Sequence, residues 1–194
     1  MTRNLENVPL PSQTVGPFFH LGCTDQHCVG SLLTDKTKGD RITLKICVLD
    51  GEGGAVPDAM IEIWQADAEG KYAHPDDPQS VAADPAFKGF GRMATNDHGC
   101  CTFETIRPGP VPANDGGKQA GHFNISVFAR GILKRLATRA YFAGDPALNH
   151  DPVLVTVPVE RQNTLLLQNS PAQAAEWYFE IYLCGEKETV FFDV

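Results

Sequence analysis

The stretch Arg41-Ile-Thr-Leu-Lys-Ile-Cys-Val-Leu49 decides the fold class, because apolar and polar residues alternate along most of it. Alternation with a period of two indicates a β-strand that buries one face. The following segment, Asp50-Gly-Glu-Gly-Gly54, is rich in turn residues, and Ala59-Met-Ile-Glu-Ile-Trp-Gln65 then alternates again. We therefore predict two strands separated by a turn.

Seven more segments have the length and pattern of short strands, and fourteen Pro and eighteen Gly provide many turns between them. We expect a short helix or turn within 151–163. The absence of long helical patterns predicts an all-β fold, an antiparallel β-sandwich of about nine short strands. We predict an irregular N-terminal arm over 1–40 that packs on a partner chain, and one domain over 41–194. The further predicted strands are 89–95, 101–106, 121–129, 136–142, 164–168, 177–183 and 189–192.

Composition excludes several classes of function. The net charge of −8 and the absence of a basic block argue against nucleic acid as a partner. No apolar run approaches the roughly 20 residues that span a bilayer, and residues 1–7 do not have a signal-peptide pattern. We therefore expect a cytoplasmic protein whose six cysteines are mostly reduced thiols. Cys23 and Cys28, near His20 and His27, form one loose pair, for which free thiols are a better interpretation than zinc ligation.

Two segments carry a recognisable motif. Ile106-Arg-Pro-Gly-Pro-Val-Pro112 forms a sharp corner, and Gly121-His-Phe-Asn-Ile-Ser-Val-Phe128 begins the next long strand. With five other segments in the same order, they resemble the intradiol ring-cleavage dioxygenases over nearly the whole chain. The other segments are 11–18, 61–74, 91–92, 125–132 continuing to 138–142, and the ending 188–194.

The resemblance implies a β-sandwich enzyme that opens a catechol ring between its two hydroxyl-bearing carbons. It is closest to the alpha chains of members built from homologous alpha and beta chains. In those members the beta chain holds non-haem Fe(III) through two Tyr and two His. The implied reaction converts protocatechuate and O2 to 3-carboxy-cis,cis-muconate, in the catabolism of aromatic compounds. We expect several alpha–beta protomers to assemble further.

The resemblance assigns the four iron-ligand positions to Tyr72, Val111, His122 and Asn124. Valine has no donor atom, and a neutral amide is a poor substitute for imidazole on Fe(III). An arginine expected near the substrate falls on Gln119. We therefore expect no catalytic iron and no catalytic residue in this chain. Tyr72 and His122 are then best interpreted as structural, a packed phenol and a hydrogen-bonded strand histidine.

The resemblance also implies that the alpha chain lends Thr14, Pro17 and Arg130 to the substrate pocket of its partner. An arginine there could pair with the carboxylate of protocatechuate. On spacing alone, the arm residues would be an ordinary turn and Arg130 a surface ion pair. Lys134 or Arg135 could face the substrate instead.

Two rival functions remain open at this point. One is a self-sufficient intradiol catechol dioxygenase with altered ligands, which Val111 and Asn124 argue against. The other is a β-sandwich binding module without an enzymatic partner. Iron content of the purified chain separates the first from a subunit without iron.

Overall fold

The computed structural model describes residues 11–16, 19, 21–113, 116–170 and 173–194. Most of the regular structure is β, joined by short 3-10 helices at Ser80–Ala82, Pro146–His150, Leu154–Thr156 and Val159–Leu165, with a π-helical turn at Leu21–Asp25. The strands are β1 (Arg41–Leu49), β2 (Met60–Gln65), β3 (Phe90–Ala94), β4 (Cys100–Ile106), β5 (Val111–Pro112), β6 (Lys118–Gln119), β7 (His122–Phe128), β8 (Leu136–Phe142), β9 (Leu166–Asn169) and β10 (Glu176–Tyr182).

Eight strands form one sheet in the order β3-β2-β7-β8-β9-β10-β1-β4, and β5 pairs with β6 beside it. The all-β prediction is confirmed. The prediction of purely antiparallel pairing is wrong at two places, because β1 runs parallel to β10 and β8 runs parallel to β9. Parallel neighbours need a long crossover connection. The segment 143–165, which holds three of the 3-10 helices, is such a crossover between β8 and β9.

One hydrophobic core joins the two halves of the sheet. Leu44, Ile46 and Val48 of β1 and Ile61 and Ile63 of β2 are completely buried in it. Every second residue of β1 is buried, as its alternation predicts. Since the opposite faces of β2 and β7 point away from this core, their remaining side chains are available to form a site.

The end of the arm connects the two outer strands of the sheet. Val29 exchanges backbone hydrogen bonds of 2.7 and 3.1 Å with Arg92 of β3. On the other side, the amide of Glu104 in β4 donates to Gly30 at 2.8 Å, and Leu32 donates back to Glu104 at 2.9 Å. This part of the arm therefore belongs to the chain's own fold, and contact of the remaining arm with a partner stays a prediction.

Two further details differ from the sequence predictions. The segment 189–192 is not a strand, although Phe192 forms an isolated bridge with Ala137. Cys47 and Cys100, which face each other across β1 and β4, form a disulfide, while the other four cysteines are free thiols. Within the described ranges, no helix is long and apolar enough to cross a membrane.

Candidate functional site

Close backbone packing holds together the loop after β2 and the Pro-Gly-Pro corner. A Cβ on Gly70, which has φ +81°, would lie 1.9 Å from the carbonyl oxygen of Pro110. A Cβ on Gly121 would lie 2.3 Å from the carbonyl oxygen of Pro108. Only glycine fits such approaches. The corner is therefore clamped between the loop that carries Tyr72 and the strand that begins with His122.

A buried carboxylate fixes the shape of the same loop. Asp67 is 5% exposed, and its Oδ1 accepts hydrogen bonds from the amides of Glu69 and Lys71 at 2.9 and 3.0 Å. Its Oδ2 accepts from the amide of Asp84 at 2.9 Å. Three backbone donors on one carboxylate make the loop rigid, and Tyr72 follows directly after it.

Tyr72 and Asn124 bond to each other. The ring of Tyr72 stacks on Trp64, with centroids 5.7 Å apart and an interplanar angle of 11°. The amide Nδ2 of Asn124 donates to the Tyr72 hydroxyl at 3.2 Å. Burial raises the pKa of the Tyr72 phenol, while the bond from Asn124 and the charge of Arg139 oppose that shift. The phenol is therefore neutral near pH 7, whereas iron would need a tyrosinate.

His122 is a buried neutral imidazole. It is 2% exposed, and its Nδ1 donates to the carbonyl of Ala120 at 2.7 Å. Burial, reinforced by the charge of Arg139, lowers the pKa of His122 to about 4. Its ring also packs against Tyr141, with centroids 5.6 Å apart. Neutral imidazole could bind a metal through Nε2, but the neighbouring positions do not complete a ligand set.

A guanidinium lies beside the four ligand positions. Arg139 of β8 is paired in register with Asn124 of β7, and its Nη1 donates to Oε1 of Gln119 at 2.7 Å. Nη1 also lies 3.3 Å from the hydroxyl of Tyr141. That hydroxyl donates to Oδ1 of the fully buried Asp151 at 3.2 Å. Gln119, where the resemblance expects an arginine, thus accepts a hydrogen bond from a guanidinium of β8.

This donor set does not fit Fe(III). Asn124 presents N–H groups toward Tyr72, Val111 has no donor atom, and a fixed cation lies close to all three remaining polar groups. Fe(III) is favoured by anionic oxygen donors, and a permanent positive charge nearby opposes any cation. In the part of the chain that the structure describes, no group of three or more His, Cys, Asp and Glu side chains could hold a metal.

Thr14 and Arg130 lie together at the other end of β7. The amide of Gly131 donates to the Thr14 hydroxyl at 2.7 Å. The side chain of Arg130 is 70% exposed, and its Nη2 is 3.7 Å from Oδ2 of Asp58. Pro17 lies outside the described residues. At about 3.3 Å per residue in extended chain, the six residues from Asn124 to Arg130 separate this pair from Asn124 by at most roughly 20 Å.

A cavity of about 740 Å³ opens on the outer face of β3, β2, β7 and β8. Trp64, His74 and Phe90 form an aromatic wall, and Arg135 and Arg139 line the side formed by β8. Two carboxylate side chains line it. Glu62 accepts a hydrogen bond of 2.8 Å from Nε of Arg92, and Asp193 is exposed. Arg135, predicted as an alternative to Arg130, thus faces this cavity.

Arg139, Tyr141 and Asp151 were not singled out as site residues from the sequence. The alternation of Thr138-Arg-Ala-Tyr-Phe142 puts Arg139 and Tyr141 on one face of a strand. The missing information was the register with β7, which sets Arg139 opposite Asn124 and Tyr141 opposite His122.

Comparison with known proteins identifies relatives over almost the whole chain. The dioxygenase family model (Dioxygenase_C) matches residues 14–185. The chain is 39% identical to the protocatechuate 3,4-dioxygenase alpha chain of Pseudomonas putida, over 94% of this chain and 95% of that protein. The corresponding alpha chain of Burkholderia cepacia is also 39% identical, over 95% and 96%. The Burkholderia cepacia beta chain is 34% identical, over 78% of this chain and 67% of the relative.

Solved structures support the fold. The dioxygenase domain of a dioxygenase–carbohydrate-binding fusion protein from Streptomyces sp. SirexAA-E superimposes with a TM-score of 0.63 at 24% identity, covering 94% of this chain and 100% of that one. Hydroxyquinol 1,2-dioxygenase from Pseudomonas putida DLL-E4 gives a TM-score of 0.63 at 20% identity, over 93% and 68%.

Proposed function

The chain belongs to the intradiol ring-cleavage dioxygenase family, and we propose that it is the alpha subunit, without iron of its own, of a protocatechuate 3,4-dioxygenase. A homologous beta chain binds non-haem Fe(III), and the complex cleaves protocatechuate with O2 to 3-carboxy-cis,cis-muconate. The observation that carries the proposal is the bond from the Asn124 amide to the Tyr72 hydroxyl at 3.2 Å. The groups at these two ligand positions are hydrogen-bonded to each other instead of binding a metal.

The match to a beta chain supports a homologous partner. In the proposal, Thr14, Pro17 and Arg130 reach into the pocket of that partner. Thr14 and Arg130 are exposed and lie beyond the end of β7, whereas Asn124 lies near its start, which agrees with a role in another chain. The exposed guanidinium pairs with the carboxylate of protocatechuate in this acidic chain.

The remaining parts of the proposal concern the setting of the enzyme. We place the complex in the cytoplasm, in the catabolism of aromatic compounds, and expect alpha–beta protomers to associate by symmetry. The exposed free thiols of Cys28 and Cys184 are compatible with a reducing compartment, although Cys47 and Cys100 are bonded. The arm before Val29 is the candidate for contact with the partner.

Iron analysis with a visible spectrum tests the proposal. The full chain would be purified alone and again after co-expression with a candidate beta chain. We expect a colourless lone chain without iron, and a coloured, active complex in which tyrosinate-to-Fe(III) charge transfer arises from the partner. Iron and colour in the lone chain would instead identify a self-sufficient dioxygenase.

A further inference from the structure

Arg139 is a half-buried cation that bonds directly to no carboxylate of the described residues, and the buried Asp151 is connected to it only through the hydroxyl of Tyr141. Among the described residues, the hydrogen bonds of its guanidinium run from Nη1 to two neutral groups, the amide oxygen of Gln119 and the hydroxyl of Tyr141. No described carboxylate lies within ion-pair distance of it. A charge that is partly removed from water and not paired is costly, so an anion at this place would be favoured.

The cavity beside Arg139 has the shape and lining for a small aromatic anion. Ala137 and Arg139 of β8 and Arg135, directly before that strand, occupy alternate positions and all line the cavity, so both guanidinium groups face one side of it. The half-buried rings of Trp64 and Phe90 form the other side. A volume of about 740 Å³ is within the range of sites for small molecules.

The carboxylate side chains that line the cavity do not pair with Arg135 or Arg139. Glu62 is bonded to Arg92 at 2.8 Å, so its charge is already neutralised by a neighbour. Asp193 is exposed at the rim. Arg135 has no hydrogen bond or ion pair with any other described residue. Two unpaired guanidinium groups next to aromatic faces provide bidentate donors for a carboxylate and a surface on which a ring can stack.

We propose that this cavity, formed by residues of the present chain alone, binds a small aromatic carboxylate without a metal. Arg139 and Arg135 bind the carboxylate, and Trp64 and Phe90 hold the ring. The site is separate from the one that Thr14 and Arg130 would complete, since neither of these residues lines the cavity. It does not rest on the proposed function, because neither iron nor a partner chain takes part.

Isothermal titration calorimetry of the full, iron-free chain with 4-hydroxybenzoate at pH 7 tests the site. We expect one binding site per chain. Arg139→Gln should weaken binding at least tenfold, and Arg135→Gln several-fold. Lys134→Gln is the matched control, because Lys134 is exposed and does not line the cavity, and it should change affinity less than twofold.

The ligand class is tested by two other probes. Cyclohexanecarboxylate keeps the charge and loses the aromatic ring, and inorganic phosphate keeps only an anion; both should bind at least fivefold more weakly. Absence of heat with 4-hydroxybenzoate, equal affinity for phosphate, or binding unchanged in Arg135→Gln would overturn the proposal. Because Arg135 is exposed, that variant remains informative even if Arg139→Gln fails to fold. A chain that binds neither iron nor the probe refutes this site and leaves the proposed function standing.

Discussion

The backbone amide of Gly131 donates a hydrogen bond of 2.7 Å to the hydroxyl of Thr14, across 117 positions of sequence. The bond fixes the arm against the turn after β7, directly beside Arg130. Because the hydroxyl accepts this bond, its own proton remains free to be donated elsewhere. The arm and the exposed arginine therefore form one unit, which can be tested by separate substitutions.

Thr14→Val should raise KM for protocatechuate more than it lowers kcat. Valine has nearly the same shape but cannot accept from Gly131, so the arm and the turn lose their connection. A lost neutral hydrogen bond of roughly 1 kcal/mol corresponds to about a fivefold effect. In the assembled enzyme we expect KM for protocatechuate to rise three- to tenfold and kcat to change less than twofold. Thr14→Ser should retain the parental KM. A Thr14→Val enzyme with unaltered KM would show that the bond has no part in substrate binding.

Arg130→Gln should raise KM for protocatechuate at least tenfold, because a charged hydrogen bond contributes about 1.5–3 kcal/mol. Asp58→Asn should have little effect, since its 3.7 Å contact with Arg130 is exposed and such ion pairs contribute little. Steady-state kinetics of the assembled enzyme measures both. Lys134→Gln is the control. If Lys134→Gln raised KM while Arg130→Gln did not, the carboxylate of protocatechuate would be bound by Lys134 instead of Arg130.

Restoring the ligands should not restore iron while Arg139 is present. In Val111→Tyr/Asn124→His the four ligand types return, but the guanidinium still opposes a trivalent cation. We expect little iron in that double variant and a clear increase when Arg139→Gln is added. Metal analysis and the visible charge-transfer band of the lone chain are the readouts. Full iron occupancy in the double variant would show that the guanidinium is no obstacle.

Acid should destabilise the fold through His122. Its folded pKa of about 4 lies below the ordinary value of 6.5, so the unfolded chain binds the proton more readily. The stability that the neutral imidazole contributes is complete above pH 6.5 and is lost as the pH falls toward 4, by at most about 3 kcal/mol. Urea unfolding at pH 7 and pH 4.5 should show a smaller pH dependence in His122→Gln. His98 is exposed, so His98→Gln should keep the parental pH dependence of stability. If His122→Gln showed the same pH dependence as His98→Gln, His122 would be excluded as the cause.

Sequence alternation was sufficient for the strands that bury one face. β1 and β2 occupy almost the predicted segments, because every second residue enters the core. The same alternation is compatible with either direction of pairing, which is why the parallel neighbours β1 and β10 were not predicted. Pairing of Cys47 with Cys100 likewise depends on the register between β1 and β4.

Only the parts of the candidate site that depend on the identity of single residues could be predicted from the sequence. The resemblance assigns ligand positions to Val111 and Asn124, and residue chemistry then predicts that neither side chain suits Fe(III). The position of Arg139 could not, because its neighbours Gln119 and Asn124 come from other strands. The contact of Thr14 with Gly131 joins two segments that are far apart in the sequence, and no sequence pattern predicts that they meet. Only the resemblance indicated that Thr14 and Arg130 act together.

The connection of β3 to β4 through Val29, Gly30 and Leu32 also affects how copies of the chain can meet. Unpaired edges of a sheet are templates for the addition of foreign strands and hence for aggregation. Here both outer strands bond to the same short segment. Association by extending the sheet is thereby disfavoured, and an ordered complex would have to use faces and loops. A chain cut before Leu33 should therefore precipitate more readily than the intact one, even if every strand of its sheet remained.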